Sequence, residues 1–129
     1  MNRIVIKSGT KNIYLVKFTN PENDALVGIV TVNVKERIVT DIDIRLNEND
    51  EQFTRLPSLA LAVSRNIIQI AKSDPRVQKI LDSGAEIGGI SYLSSALRKV
   101  VGLELRAGDK TWVVRIDPNK EEVISIFQR

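Results

Sequence analysis

The stretch TWVVRIDPNKEEVISIF, residues 111–127, decides the fold because it holds two β-branched runs on either side of a turn. Both runs have the β-branched composition of strands, and in the first run Trp112, Val114 and Ile116 alternate onto one face. The intervening sequence DPNK is typical of tight turns. We therefore predict a β-hairpin in which Asp117 forms the turn and Glu121 and Glu122 are solvated, and not an active-site loop built around Asp117 and Glu121.

The strand pattern extends outward from this hairpin. Before it, VGLELRA and the turn Gly-Asp predict a third strand of an antiparallel meander. Between Arg3 and Leu46, four further β-branched runs are separated by the turn sequence NPEND and the polar sequence KER. In the last of these runs, alternation assigns one face to Ile38, Thr40, Ile42, Ile44 and Leu46, and the other face to Val39, Asp41, Asp43 and Arg45. Trp112 alternates with Val114 and Ile116, so we expect it in the core.

The centre of the chain has helical spacing. We expect a helix to begin near Pro57 and to bury a stripe of Leu59, Val63, Ile67, Ile70 and Ala71. The sequence SDP should break this helix, with Asp74 capping a second short helix that runs to Gly84. The segment GAEIGGISYL favours a loop, a bulge or an irregular edge strand, and SSALRKV favours a helical turn capped by Ser94 or Ser95.

These elements predict an α+β fold: an antiparallel β-sheet of about seven strands, ordered ββββ-α-α-βββ, with the broken helix packed on one face. A chain of 129 residues is the size of one domain, residues 1–129. Residues 29–44 faintly echo the closing hairpin, with a turn one residue shorter when Asn33 to Ile38 is compared with Asp117 to Val123. The echo predicts two imperfect β units, 13–44 and 100–127, around the central helix.

Composition excludes several chemistries. The chain has no cysteine and no histidine, so thiol nucleophiles, disulfides, histidine bases and the usual zinc and copper ligand sets are ruled out. A net charge of +3 and six aromatic residues make nucleic-acid binding an unfavoured function. No apolar run reaches the roughly 18 residues of a membrane span. We expect a soluble protein that needs no cofactor.

Several of these features resemble those of PepSY domains. The strand WVVRID, the turn PNKE and the strand EVISI are similar to the closing hairpin of that family, and IIQIAKSDPRVQKIL resembles the helix before it. The similarity covers residues 60–127 well and 13–44 weakly. It implies a cystatin-like helix on a curved antiparallel sheet, used for binding or regulation and without catalytic residues. It also implies an extracytoplasmic location if a leader was removed; otherwise we expect a cytoplasmic one.

Two groups of residues are candidate sites. Asp41 and Asp43 share one strand face about 6–7 Å apart, a spacing that suits a hard cation or an acid and base pair; a solvated strand face is the simpler interpretation. The basic side chains of Arg65, Lys72, Arg76 and Lys79 would lie on one helical side if the break at Pro75 is mild, and would then receive an acidic partner. The alternative is that these basic residues form only the solvent-exposed face of an amphipathic helix.

We accordingly expect a non-enzymatic binding or regulatory module that recognises a protein or peptide. Its surface would be the uncovered sheet face or a sheet edge, to which a peptide or a second copy adds, giving a homodimer in the latter case. The alternative is a carboxylate-based cation or enzymatic site around Asp41 and Asp43. The pair Ser95 and Lys99, four residues apart, lacks the spacing of a serine and lysine catalytic motif.

Overall fold

Each run that the sequence predicts as a strand forms one in the computed structural model, which describes residues 2–7, 12–94 and 99–129. The strands follow chain order across one antiparallel sheet, each beside its sequence neighbours. They are β1 (Asn2–Lys7), β2 (Ile13–Thr19), β3 (Leu26–Asn33), β4 (Ile38–Ile44), β5 (Glu86–Ser94), β6 (Lys99–Ala107), β7 (Lys110–Asp117) and β8 (Glu122–Gln128). The α+β class and the antiparallel sheet are confirmed.

The broken helix lies between β4 and β5. Helix α1 spans Ser58–Lys72 directly after Pro57, and helix α2 spans Pro75–Asp82. The chain leaves the helical conformation at Asp74, whose Oδ1 accepts a hydrogen bond from the Arg76 backbone N–H at 2.8 Å. This is the predicted cap, and it satisfies one of the N–H groups that a helix start leaves without a partner. The sequence DP therefore makes two helices from one apolar stretch.

The predicted count of about seven strands is not confirmed, because the described residues form eight. The additional strand is β5, which lies in the middle of the sheet between β4 and β6 and is not an edge strand. Gly88 occupies a bulge there, since Ile87 pairs with Leu105 while Gly89 pairs with Glu104. Gly89 also lies against β4, where a Cβ atom would come 2.9 Å from the Ile44 carbonyl oxygen. Glycine thus permits close strand pairing, although in sequence it is typical of a loop.

The helical turn expected over residues 94–100 is wrong at Ser94, Lys99 and Val100, which are strand residues, and its remaining part, 95–98, lies outside the described residues. Ser94 is the last residue of β5 and Lys99 the first of β6. Ser95, one member of the Ser95 and Lys99 pair, also lies outside the described residues.

A second bulge corrects the predicted face of β4. Thr31 pairs with Asp41 and Val32 pairs with Val39, so Thr40 is the extra residue on β4. The bulge reverses the alternation before it: Val39 is buried, while Ile38 is 44% exposed. The predicted inward face is correct for Ile42, Ile44 and Leu46 and wrong for Ile38, and the outward face predicted for Val39 is also wrong.

One face of the sheet packs against the helices and holds the core. Helix α1 contacts β4, β6, β7 and β8. Its buried side chains form a wider stripe than predicted, which includes Ala60, Ser64 and Ile68. Trp112 packs against this core, as expected. We call this the inner face; the opposite, outer face carries Asp43, Arg45, Ser91, Arg106 and Arg115 toward solvent.

The β3–β4 and β7–β8 hairpins have matching geometry. Val32 faces Val39 in the first and Ile116 faces Val123 in the second, and each has a bulge at the next step along the ladder. The turns, residues 34–37 and 118–121, have equal length, so the predicted one-residue difference is wrong. Each turn ends in a residue with positive φ, Arg37 at 58° and Glu121 at 54°. Common origin of the two units stays a prediction.

Candidate functional site

Asp41 and Asp43 lie on the outer face of β4, two residues apart on a central strand. Asp43 is exposed and faces Ile29 of β3 and Ser91 of β5. Asp41 is half-buried, and its Oδ1 accepts no hydrogen bond from a described residue. The two carboxylates thus differ in their surroundings: Asp43 is exposed to solvent, whereas Asp41 is partly buried.

The neighbouring acidic residues point elsewhere. Glu48 pairs with the Lys72 ammonium of α1, and Asp50 accepts a hydrogen bond from the Gln52 backbone N–H at 2.8 Å. Within residues 2–7, 12–94 and 99–129, no three His, Cys, Asp or Glu side chains are grouped so that they could hold a metal ion. The structure therefore places the two aspartates together without adding a third carboxylate to them.

Asp43 forms part of a depression of about 380 Å³ on the outer face. Gly88 and Gly89 of β5 and Gly102 of β6 all line it; Gly89 pairs with Glu104 and Gly102 with Ser91, so the glycines of the two strands are diagonal neighbours and project no side chains into the depression. Charged residues of both signs also line it: Asp43, Arg45, Glu104, Arg106 and Arg129. Sequence reasoning missed this groove because the cross-strand register that brings the glycines together is not visible in the sequence.

The four basic residues do not lie on one continuous helix. Lys72 ends α1 and is paired with Glu48, while Arg76 is the second residue of α2 and pairs with Asp74 at 2.8 Å. Hydrogen bonding from Arg76 lowers the pKa of Asp74, and the same hydrogen bond raises the pKa of Arg76. Two of the four are thus engaged in local ion pairs.

The remaining two, Arg65 on α1 and Lys79 on α2, are exposed. Neither forms a salt bridge with another described residue. They lie on separate helices on either side of the break at Asp74, so the alignment on which the predicted acidic-partner site depended is interrupted.

The two edges of the sheet carry exposed apolar side chains. On β1, which pairs with β2 alone among the described strands, Ile4 is 52% exposed, Val5 58% and Ile6 41%. On β8, at the other edge, Ile124 is 61% exposed and Phe127 is 43% exposed. The Arg115 guanidinium lies 5.7 Å from the centre of the Phe127 ring. An edge strand whose free ladder is flanked by apolar side chains is a template for a further strand.

Comparisons with protein-family profiles, with curated proteins and with solved structures found no match to this chain. No helix in the described part of the chain is long and apolar enough to cross a membrane. The geometry of the two sheet edges and of the outer face is therefore the basis for assigning a function.

Proposed function

We propose that this protein is a non-enzymatic binding module that takes an extended segment of a protein or peptide partner onto the free edge of β1. The observation that supports this is the run of Ile4, Val5 and Ile6, all exposed on a strand with one described neighbour. Backbone hydrogen bonds of an added strand supply affinity, and its alternate side chains supply specificity. Apolar residues at this edge favour a partner segment with alternating apolar side chains.

The PepSY-like and cystatin-like assignment belongs to the same proposal. A helix packed on one face of an antiparallel sheet agrees with it, and the family resemblance implies binding or regulation without catalytic residues. On this assignment the protein acts outside the cytoplasm if a leader was removed, and in the cytoplasm otherwise.

A cation or catalytic site at Asp41 and Asp43 is the second candidate. It is supported by Asp41 Oδ1, a buried acceptor that receives no hydrogen bond from the described residues. Buried polar atoms are usually satisfied, so such an atom is a reason to look for a ligand. It stays second because Asp43 is open to solvent and the described residues add no further carboxylate.

Selection from a displayed peptide library tests the strand-addition proposal. We expect selected peptides to have alternating β-branched or aromatic residues and to increase the hydrogen-exchange protection of β1 amides. Ile6→Lys should weaken their binding, since it places a charge against the added strand. The matched control is Val34→Lys, which charges an apolar residue that is 50% exposed in the β3–β4 turn. Peptides that bind Ile6→Lys and the parent protein equally, and that leave β1 unprotected, would contradict the proposal.

A further inference from the structure

The sheet consists of two four-strand units whose register matches in the central rows and in the closing hairpins, although the bulges at Val27 and Gly88 each lack a counterpart in the other unit. One unit is β1–β4 and the other is β5–β8, and their hairpins with matching bulges fix the alignment. In the first unit one row of paired residues on the inner face is Val5, Val16, Val30 and Ile42. The equivalent row in the second unit is Ile90, Leu103, Val114 and Ile126. By this alignment β5 is the counterpart of β1, and β8 is the counterpart of β4.

The two units meet where β4 pairs with β5. No hairpin makes this joint, because the chain between these strands passes through both helices. Its register pairs Ile42 with Tyr92, Asp43 with Ser91 and Ile44 with Ile90. The joint is therefore a contact between the last strand of one unit and the first strand of the next.

The counterparts of β4 and β5 are the two edge strands of the sheet, and they do not pair with each other within one molecule. The counterpart of β4 is the edge strand β8, and the counterpart of β5 is the edge strand β1. We propose that a second copy of this chain adds its β1 to β8, antiparallel and in the register of the β4–β5 joint. This deepens and rests on the proposed function, since it names the partner that the β1 edge takes.

Transferring that register predicts which residues meet. Phe127 takes the place of Asp43 and Ile6 that of Ser91, so Phe127 of one copy faces Ile6 of the next across the outer face. Both side chains are exposed, 43% and 41%, and pairing would cover each with the other. Aromatic and β-branched residues in direct cross-strand pairs are among the favourable combinations.

The bulge in β8 is compatible with a further strand. The counterpart strand β4 has its bulge at Thr40 and still pairs with β5 through Asp41–Ile44. The equivalent residues of β8, 125–128, follow the bulge in the same way. A bulge protects an edge only where it disrupts the free ladder.

Charge disfavours the alternative in which two copies meet through β1 alone. β1 contains Arg3 and Lys7 and no acidic residue. Pairing β1 with β1 would bring like charges into one short ladder, which is unfavourable. Because each added copy leaves another β1 and another β8 free, we expect a series of assemblies and not a stop at the dimer.

Cysteine cross-linking tests the register in a chain that has no native cysteine. Ile6→Cys and Phe127→Cys variants are prepared separately and oxidised alone and as a mixture. We expect the mixture to give about tenfold more cross-linked dimer than a mixture of Val5→Cys with Phe127→Cys, because directly opposed residues lie about 5 Å apart and residues on opposite faces do not meet. Sedimentation velocity of the unmodified protein should show a concentration-dependent series.

Two results would overturn this assignment. Cross-linking of Ile6→Cys with itself, at least as strong as in the mixture, would show pairing of β1 with β1. Absence of cross-linking together with a monomer at all concentrations would show that β8 is not the partner. In both cases the peptide selection tests strand addition at β1 separately. Failure of the β1–β8 pairing can therefore be distinguished from failure of the proposed binding function.

Discussion

Gly28 occupies a position on β3 that has no room for a side chain. A Cβ atom there would lie 2.8 Å from the Asp43 carbonyl oxygen and 3.3 Å from the Ile44 Cα, both backbone atoms of β4. At Gly102 on β6 the nearest atom would be the Val114 carbonyl oxygen, at 3.9 Å. Two strand glycines that look alike in sequence therefore differ in what surrounds them.

We expect Gly28→Ala to lower the free energy of unfolding by about 1–3 kcal/mol, because the added methyl group must push two strands apart. Gly102→Ala is the matched control. It should be neutral or stabilising by about 0.5–1 kcal/mol, since alanine loses less backbone entropy than glycine in a strand. Urea unfolding of both variants measures the difference, and equal losses would show that the close approach at Gly28 is unimportant.

At the scale of the element, Asp74 separates α1 from α2. Its carboxylate accepts hydrogen bonds from the Arg76 backbone N–H and from the guanidinium of the same residue. The side-chain hydrogen bond from Arg76 is the largest cause that lowers the pKa of Asp74 below its usual value of 3.8. The charged carboxylate therefore stabilises the fold above the unfolded-state pKa, and this contribution is lost as the pH falls through the lower folded-state pKa.

Asp74→Ala should cost about 1 kcal/mol at neutral pH through loss of the helix cap. Asp74→Asn keeps a capping oxygen and loses the charge, so we expect a smaller loss of stability. The difference between Asp74→Asn and the parent protein should shrink as the pH is lowered below 3.8, because the parent carboxyl then becomes neutral. Thermal unfolding across this range measures it; a difference that is constant with pH would contradict a role for the charge.

At the scale of the whole molecule, the β4–β5 joint connects the two halves of the sheet. Ile42, 1% exposed, lies at this joint on β4, and α1 packs across β4, β6, β7 and β8. Trp112 on β7 is the single tryptophan and reports on the second half. With one shared core, the halves should unfold together.

Ile42→Ala should therefore lower the free energy of unfolding by about 2–5 kcal/mol. Trp112 fluorescence and far-ultraviolet circular dichroism should shift to the same new urea midpoint. Ile38→Ala on the same strand is the control, because Ile38 is 44% exposed and truncation at such a surface position should change stability by about 0.5 kcal/mol or less. A Trp112 transition that keeps its original midpoint in Ile42→Ala would indicate two independent folding units.

Local sequence determined much of this molecule, because strands, turns and helix caps depend on neighbouring residues. The alternation of Trp112, Val114 and Ile116, the turn at Asp117 and the cap at Asp74 all appear in the structure where the sequence predicts them. In β8 a bulge at Ile124 interrupts the alternation. Candidate site residues were also visible as residue types. Their surroundings were not, as Asp41 and Asp43 show: alternation placed both on one face, but not the partial burial of the first.

Tertiary structure decided what depends on pairing between distant segments. The bulges at Thr40 and Gly88 change which side chains point inward. Strand β5 is central only because it pairs with β4, from which both helices separate it in the sequence. The glycine-lined groove and the two exposed edges follow from the same register. Register is set by the summed packing of a whole sheet face, which no local run of residues contains.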